Sequence, residues 1–141
     1  MLRVVPDVNV IISGVITPAG YPGRIYAAWK RRRIFFITSP VIIAKVVEVL
    51  HRPHIAETFS LDEDDINSVR SLLEKRTIRT PHRLDLHVVK EDPEDDNIII
   101  AAVEGNADCI ISGDKHLTKM GSYQDIPILS PADFVIQHKI P

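Results

Sequence analysis

Residues 34–53 read IFFITSPVIIAKVVEVLHRP and contain the clearest strand-to-helix signal in the chain. Its first part, Ile34–Thr38, is a short apolar run of the kind that forms a buried strand. Ser39-Pro40 then supplies a helix N-cap and a first-turn proline, and Arg52-Pro53 closes the helix. The helix between them carries one apolar stripe, formed by Ile43, Val46, Val47 and Leu50. The stretch therefore predicts a buried strand that leads straight into an amphipathic helix.

The same order of short strands and amphipathic helices recurs along the rest of the chain. Strands are predicted over residues 2–5, 84–89, 108–112 and 126–129, and helices over residues 23–33, a segment opening near 61, residues 92–105 and residues 131–137. Such alternation is typical of βαβ units, whose strands run parallel and whose helices cover the sheet. We therefore expect one α/β domain over residues 1–141, with a mainly parallel central sheet sandwiched by helices in three layers.

The composition is that of an ordinary globular domain. Of the 141 residues, 45% are hydrophobic and 26% are charged, with a formal net charge of −2, which excludes a wholly disordered, collagen-like or coiled-coil chain. The single cysteine, Cys109, cannot form an intramolecular disulfide, which predicts a reducing, cytoplasmic location. We interpret Cys109 itself as a small buried hydrophobic residue.

No apolar run reaches the ~20 residues that span a bilayer, so no membrane association is expected. The run from Val4 to Ile16 has the length of a signal-peptide core, but Asp7 and Asn9 interrupt it and no small-residue cleavage site follows. We interpret this run as the first strand of the fold.

The acids that follow strands or open helices are the candidate site residues, because ligands of parallel α/β sheets bind beyond the carboxyl ends of the strands. Asp7 follows the first strand, Asp114 follows the strand at 108–112, and the segment 91–96 (EDPEDD) opens a helix. Asp7 and Asp114 can each be a turn former or helix cap. The apolar neighbours of Asp7 predict burial, however, and a buried carboxylate needs a partner or a cation. We favour a functional role for both.

Most of the acidic segment has a structural explanation. Asp92 can cap the helix, Pro93 suits its first position, and Asp95 can complete an acidic capping box. Asp96 instead shares a helical face with Ile99, Ile100 and Val103. That spacing predicts a core-facing carboxylate, so we assign Asp96 to the functional site and leave both interpretations open for Asp92 and Asp95.

Glu48, on the helix that begins after Ser39, also has two interpretations. It can form ion pairs with Lys45 and Arg52 on the helix surface, or it can act as a further metal-site carboxylate. Gathered carboxylates repel one another by roughly 4 kcal/mol at ~4 Å and an effective dielectric of about 20 unless a cation neutralises them. All-oxygen donors suit Mg²⁺ or Mn²⁺, and the chain has no CxxC or HxxxH pattern for zinc. The predicted chemistry is metal-assisted phosphodiester hydrolysis.

Four motifs in this order resemble the PIN-domain nucleases, close to their VapC-like toxin branch. They are Pro6-Asp7-Val8-Asn9-Val10, the segment from Ser39-Pro40 to Val49-Leu50-His51-Arg52-Pro53, the run Asp92–Asp96, and Ala107-Asp108 through Ser112-Gly113-Asp114. The resemblance covers almost the whole chain. It implies a Mg²⁺- or Mn²⁺-dependent ribonuclease that cleaves RNA, is often a homodimer and is often inhibited by an antitoxin protein.

Carried over by position, the resemblance also implies roles for particular side chains. Asp7, Asp96 and Asp114 would be the metal ligands and, with Glu48, the catalytic acids. The residues that would support them are Asn9 and Ser112, by hydrogen bonding, and Asp92 and Asp95.

Three positions depart from the family pattern. Lys45 stands at the best-aligned position of a Glu that the family usually carries, and Glu48 lies one turn further along the helix. Val8 replaces a frequent Thr and thereby removes a hydroxyl. His116 stands where relatives often carry a further Asp, and it is either a proton donor or a solvated side chain.

The basic run Lys30-Arg31-Arg32-Arg33 is a candidate RNA-phosphate patch, or a solvated helix end whose cations suit the helix dipole. Two rival functions follow from single residues. A non-catalytic PIN-fold module that binds RNA or protein would use the Lys45 ammonium in place of a metal. An aspartyl phosphatase would need a second Asp as general acid where Asn9 stands, so we disfavour it.

Overall fold

The computed structural model describes residues 1–141, and its elements alternate between strand and helix. The strands are β1 (Arg3–Pro6), β2 (Phe35–Thr38), β3 (Ile78–Arg79), β4 (Cys109–Ile111), β5 (Ser122–Tyr123) and β6 (Ile126–Leu129). The helices are α1 (Val8–Ile16), α2 (Tyr21–Lys30), α3 (Pro40–Leu50), α4 (Pro53–Ala56), α5 (Glu63–Arg76), α6 (Asp96–Glu104), α7 (Lys115–Thr118) and α8 (Pro131–His138), with a 3₁₀ turn at Pro93–Asp95 before α6.

The six strands form one sheet in the order β3-β2-β1-β4-β6-β5. All neighbouring pairs are parallel except β5 with β6, which is antiparallel. The chain adds β2 and β3 on one side of β1 and then crosses to add β4 on the other side. This reversal between β1 and β4 is the place where sheets of this kind open a crevice at the carboxyl ends of the strands.

The two central strands are covered on both faces. Val4 and Val5 of β1 are both fully buried although successive strand residues point to opposite faces. Ile110 and Ile111 of β4 are fully buried in the same way. Helix α6 packs against β1, β2 and β4, and the other long helices contact one another in series. The predicted α/β fold, a mostly parallel sheet flanked by helices, is confirmed.

Two sequence predictions of secondary structure are wrong. The run Val4–Ile16 is not a single strand, because β1 ends at Pro6 and Asp7 caps helix α1. The segment 84–89 is not a strand either, and the edge strand β3 lies earlier, at Ile78–Arg79. The short elements α4, α7 and β5 were not predicted at all. None of the helices has the length and apolar character required to cross a membrane.

The segment 82–89 satisfies its backbone with side chains instead of a neighbouring strand. The Glu104 carboxylate accepts hydrogen bonds from the backbone N–H groups of residues 82, 83 and 84 at 2.8 to 3.1 Å. The Asp96 carboxylate accepts from the N–H groups of Val88 and Val89, both at 2.8 Å. Of the alternating apolar residues, Leu86 and Val88 pack against the core without strand pairing, whereas Leu84 is exposed.

Candidate metal centre

Asp7 lies at the carboxyl end of β1 and begins helix α1. Its backbone N–H donates to the carbonyl of Ile111 on β4 at 2.9 Å, which ties it to the neighbouring strand. Its Oδ1 accepts from the N–H of Val10 at 2.9 Å, as an N-cap does. Its Oδ2 accepts a hydrogen bond from the Ser112 hydroxyl. The carboxylate is thus buried, at 5% exposure, and fixed from two strands.

Asp114 reaches the same place from β4. Ser112 follows that strand, is fully buried, and its hydroxyl oxygen accepts from the Asp114 N–H at 2.9 Å. Asp114 in turn caps α7 by accepting from the His116 N–H at 2.7 Å. One hydroxyl therefore contacts the Asp7 carboxylate and the Asp114 backbone, and this shared contact joins the two residues at the switch point of the sheet.

The 3₁₀ turn before α6 adds Asp92 and Asp95. Asp92 caps the turn by accepting from the Glu94 N–H at 3.1 Å. Asp95 forms no cap, and its Oδ2 is buried without any hydrogen-bond partner. One oxygen from each of Asp92, Asp95 and Asp114 lies within 4.8 Å of the others. We call Asp7, Asp92, Asp95 and Asp114 the acidic centre.

The electrostatics of the acidic centre are unfavourable without a cation. Burial, followed by the charges of Asp114 and Asp92, raises the pKa of Asp95 to about 7. Burial also raises the pKa of Asp7, although the Ser112 hydroxyl and the N–H groups of Val10 and Asn9 oppose that rise. Carboxylates that repel each other in this way favour a divalent cation. The orphaned oxygen of Asp95 and the all-oxygen donor set fit Mg²⁺ or Mn²⁺.

A cavity of about 520 Å³ opens over the acidic centre. Its volume is typical of small-ligand sites. Six carboxylates and two cations line it, the cations being Lys45 and Arg52. The remaining wall includes Val8, Val41, Ala44, Val49 and Ile98. The cavity is therefore strongly acidic, with its positive charge confined to the side formed by α3 and the start of α4.

Asp96 lies outside the cavity, and its role as a metal ligand stays a prediction. Asp96 is buried at 6% exposure but does not line the cavity, because one of its oxygens holds the backbone of Val88 and Val89. The preceding residue, Asp95, faces the acidic centre in its place. The helical-spacing argument identified a core-facing carboxylate correctly but could not tell a ligand from a backbone acceptor. The predicted capping box of Asp92 and Asp95 is absent for the same reason, since Asp95 points into the site.

Glu48 lines the cavity within an ion-pair network. Its carboxylate accepts from Arg52 Nη2 at 3.1 Å and lies 3.2 Å from Lys45 Nζ. Lys45 also contacts Glu94 at 3.3 Å, which joins α3 to the 3₁₀ turn. The hydrogen bond from Arg52, and then that from Lys45, lowers the pKa of Glu48. Both the surface ion pair and the position beside the site are therefore present, whereas Glu48 is not among the acids that cluster.

The remaining predicted residues divide between the two edges of the sheet. Asn9 lines the cavity, but its side chain makes no hydrogen bond to Asp7. Arg31–Arg33 connect the end of α2 to the start of β2, which places them at the amino edge of the sheet, and Lys30 lies over the Tyr26 ring at 5.7 Å. His116 is exposed beside Lys119, outside the cavity. None of the basic run lines the cavity.

Comparison with known proteins agrees with this fold. A family model described as the PIN domain matches residues 3–116. The uncharacterized protein MJ1680 of Methanocaldococcus jannaschii is 28% identical over 119 residues, which is 84% of this chain and 75% of that protein. The crystal structure of VapBC2 from Rickettsia felis, bound to a DNA fragment from their promoter, contains a chain that superposes with a TM-score of 0.57 at 10% identity, over 92% of this chain and 98% of that one.

Proposed function

Because the chain belongs to the PIN-domain family, we propose that it is a divalent-metal-dependent ribonuclease that hydrolyses RNA phosphodiester bonds. The acids that would hold the Mg²⁺ or Mn²⁺ ion are Asp7, Asp92, Asp95 and Asp114. The observation that carries the proposal is the buried Oδ2 of Asp95, which has no hydrogen-bond partner among three other carboxylates. A divalent ion there supplies Lewis-acid stabilisation of a phosphoryl oxygen and a water of lowered pKa.

The chain itself supplies orientation. Ser112 donates to the Asp7 carboxylate and accepts from the Asp114 N–H, and the Asp114 carboxylate is oriented by the His116 N–H. The Val10 N–H fixes the other oxygen of Asp7. Val8, Val41 and Ile98 form an apolar part of the cavity wall beside the acids. Preorganised carboxylates of this kind bind an ion without rebuilding the site.

The direct test is cleavage of a fluorescently labelled RNA oligonucleotide by the purified chain with Mn²⁺, Mg²⁺ or EDTA. We expect cleavage with either ion and none in EDTA. Asp7→Asn keeps the cap oxygen but removes the charge, so we expect it to fold and to lose activity. Asp133→Asn, at an exposed position in the first turn of α8, is the matched control and should cleave like the parent chain.

Three results would contradict the proposal. Cleavage that continues in EDTA would exclude the metal. Undiminished cleavage by Asp7→Asn would exclude this site and point to a contaminating nuclease. Loss of cleavage in Asp133→Asn as well would show that the assay reports on general charge and not on the acidic centre.

A second candidate function, an RNA- or protein-binding module without catalysis, is supported by Lys45. Its ammonium lines the same cavity and contacts Glu48 and Glu94. A thermal-shift titration separates the two functions, because a ligand that binds the folded state raises the melting temperature by mass action. A rise with Mn²⁺ that Asp95→Asn abolishes supports the nuclease, and an unchanged melting temperature at millimolar Mn²⁺ favours the binding module.

The partner that we propose is an antitoxin protein. The proposal is supported by the resemblance to VapC-like toxins and by the structural likeness to VapBC2 from Rickettsia felis. Co-expression with the product of an adjacent small gene, followed by size-exclusion chromatography, tests it. Coelution and loss of RNA cleavage are expected, whereas separate elution with full activity would contradict it. The predicted homodimer stays a prediction, which the elution volume of the chain alone measures.

A further inference from the structure

We propose that Lys45 and Arg52, both held in place by Glu48, form a binding arm for a phosphate of the RNA strand next to the acidic centre. This inference rests on the proposed ribonuclease function and assigns to Glu48 a positioning role in place of metal ligation. We call Lys45, Glu48 and Arg52 the α3 arm.

The first support is the geometry of Glu48. Arg52 donates to both of its oxygens, from Nη2 at 3.1 Å to each and from Nε to Oε1 at 3.3 Å. Lys45 Nζ lies 3.2 Å from Oε2. Residues 45, 48 and 52 share one side of the helix and the turn after it, and all line the cavity. One carboxylate therefore fixes two flexible cations in a single orientation toward the same space.

The second support is that Lys45 and Arg52 keep N–H groups that form no hydrogen bond to a carboxylate. An ammonium has three N–H groups, and the two carboxylate contacts of Lys45 leave one free. Arg52 uses Nε and Nη2 on Glu48, so both N–H groups of Nη1 make no hydrogen bond. The two side chains are 33% and 42% exposed, which leaves these donors accessible from the cavity. Phosphate oxygens are acceptors that match such donors.

The third support is charge. A strand of RNA must approach a cavity that carries six carboxylates, and a single divalent ion does not cancel that excess. Lys45 and Arg52 are the only cations that line the cavity, because the basic run Lys30–Arg33 lies at the opposite edge of the sheet. The only positive side chains that an RNA phosphate meets in this cavity are therefore those of the α3 arm.

The ion pairs of Glu48 with Lys45 and Arg52 are exposed, and exposed pairs contribute little to the stability of the fold. Glu94 pairs with Lys45 from the 3₁₀ turn that carries Asp92 and Asp95. Lys45 is thus the member of the arm that contacts the turn carrying Asp92 and Asp95, which places its phosphate contact beside the acidic centre. This gives a function to the Lys that stands in place of the family's usual Glu.

The test compares Lys45→Gln and Arg52→Gln with the parent chain in steady-state cleavage of a short RNA. Each substitution is expected to raise KM about tenfold, the value of one charge-assisted hydrogen bond, and to leave kcat nearly unchanged. The slope of log KM against log salt should fall by about 0.7 for each lost contact with a single strand. Mn²⁺ affinity by thermal shift should not change. Lys75→Gln, an exposed cation near the end of α5, is the matched control and should leave all four values unchanged.

Glu48→Gln separates positioning from ligation. As a positioning residue it should raise KM and keep the Mn²⁺ affinity of the parent chain, while a ligand would lose Mn²⁺ affinity. The inference is overturned if KM and the salt slope are unchanged in both Gln variants of the cations, or if Glu48→Gln loses Mn²⁺ binding.

The proposed function can fail separately. If the parent chain cleaves no RNA with either metal, the nuclease proposal fails, and the arm is then tested by the Kd of the same oligonucleotide. A Kd raised about tenfold in Lys45→Gln and Arg52→Gln but not in Lys75→Gln would retain the arm as a phosphate site. An equal Kd in all four proteins would remove it.

Discussion

The acidic centre and the α3 arm line one cavity, but the carboxylates in them have opposite electrostatic environments. In the acidic centre, Asp95 is buried among like charges and one of its oxygens has no partner. In the arm, Glu48 is exposed and contacts two cations. Accordingly the pKa of Asp95 is raised to about 7, by burial and then by Asp114, while that of Glu48 is lowered, by its hydrogen bond from Arg52.

This difference shows which carboxylates require something from outside the chain. In the arm, the charge of Glu48 is paired with Lys45 and Arg52, so this carboxylate needs no cation from outside the chain. The acidic centre is stabilised only by hydrogen bonds from Ser112 and from helix N-termini, which orient the oxygens but do not cancel their charge. A buried charge without compensation is costly, and a bound cation would supply that compensation.

The largest effect is expected where this contrast is strongest, at Asp95. Asp95→Asn removes the charge and the unpartnered oxygen's affinity for a cation, so Mn²⁺ should no longer raise the melting temperature, and kcat should fall on the order of 100-fold or more. Thermal shift and single-turnover cleavage measure the two effects. Asp133→Asn again serves as the control. Retained Mn²⁺ binding in Asp95→Asn would mean that the acidic centre is complete without this residue.

A smaller but distinct effect is expected at its neighbour Asp96. Asp96→Ala leaves the N–H groups of Val88 and Val89 without an acceptor, which should lower the free energy of unfolding by about 2–4 kcal/mol. Asp96→Asn keeps an accepting oxygen and should lose clearly less. Urea denaturation measures both variants.

The same pair of variants decides whether Asp96 is a ligand. A support residue tolerates Asn, so Asp96→Asn should bind Mn²⁺ like the parent chain, whereas a metal ligand would not. Loss of Mn²⁺ binding in a folded Asp96→Asn protein would support the prediction from the sequence that Asp96 is a metal ligand.

Much of the fold follows from the sequence because its signals are local. Ser39-Pro40 and Ser130-Pro131 each combine a cap with a first-turn proline, and the structure begins α3 and α8 at these places. The burial of β1 and β4 on both faces follows from their continuous apolar character. The segment 84–89 could not be predicted, because Glu104 and Asp96 replace the strand pairing that its alternation suggests.

The site is less predictable than the fold because it depends on which way each acid turns. Asp95 and Asp96 are adjacent, yet the 3₁₀ turn ends between them. Asp95 therefore lines the cavity, whereas Asp96 accepts hydrogen bonds from the segment before the turn. A helical period read continuously through residues 92–105 misses this change of geometry. Pro93 does not signal the change, because Pro40 and Pro131 occupy the first turns of regular α-helices.

The pH dependence of the metal-free protein should follow from Asp95. Its pKa is about 7 in the folded state, chiefly because of burial, against an ordinary value of 3.8. Between these values the folded state binds the extra proton, so the free energy of unfolding should fall as pH rises and level off above about 7. In the Asp95→Asn protein the free energy of unfolding should not show this decrease with pH. Urea denaturation in EDTA from about pH 5 to about pH 8 compares the two proteins, and parallel pH profiles would exclude Asp95 as the source.

The smallest effect is expected from breaking the α3 arm in the absence of RNA. Glu48→Gln removes ion pairs that are exposed and screened, so the melting temperature should fall slightly at low salt and match the parent chain at high salt. Differential scanning calorimetry at two salt concentrations measures this. A large loss that persists at high salt would show that Glu48 supports the fold itself. In that case the difference in charge pairing between Glu48 and Asp95 would no longer explain why these two acids have different roles.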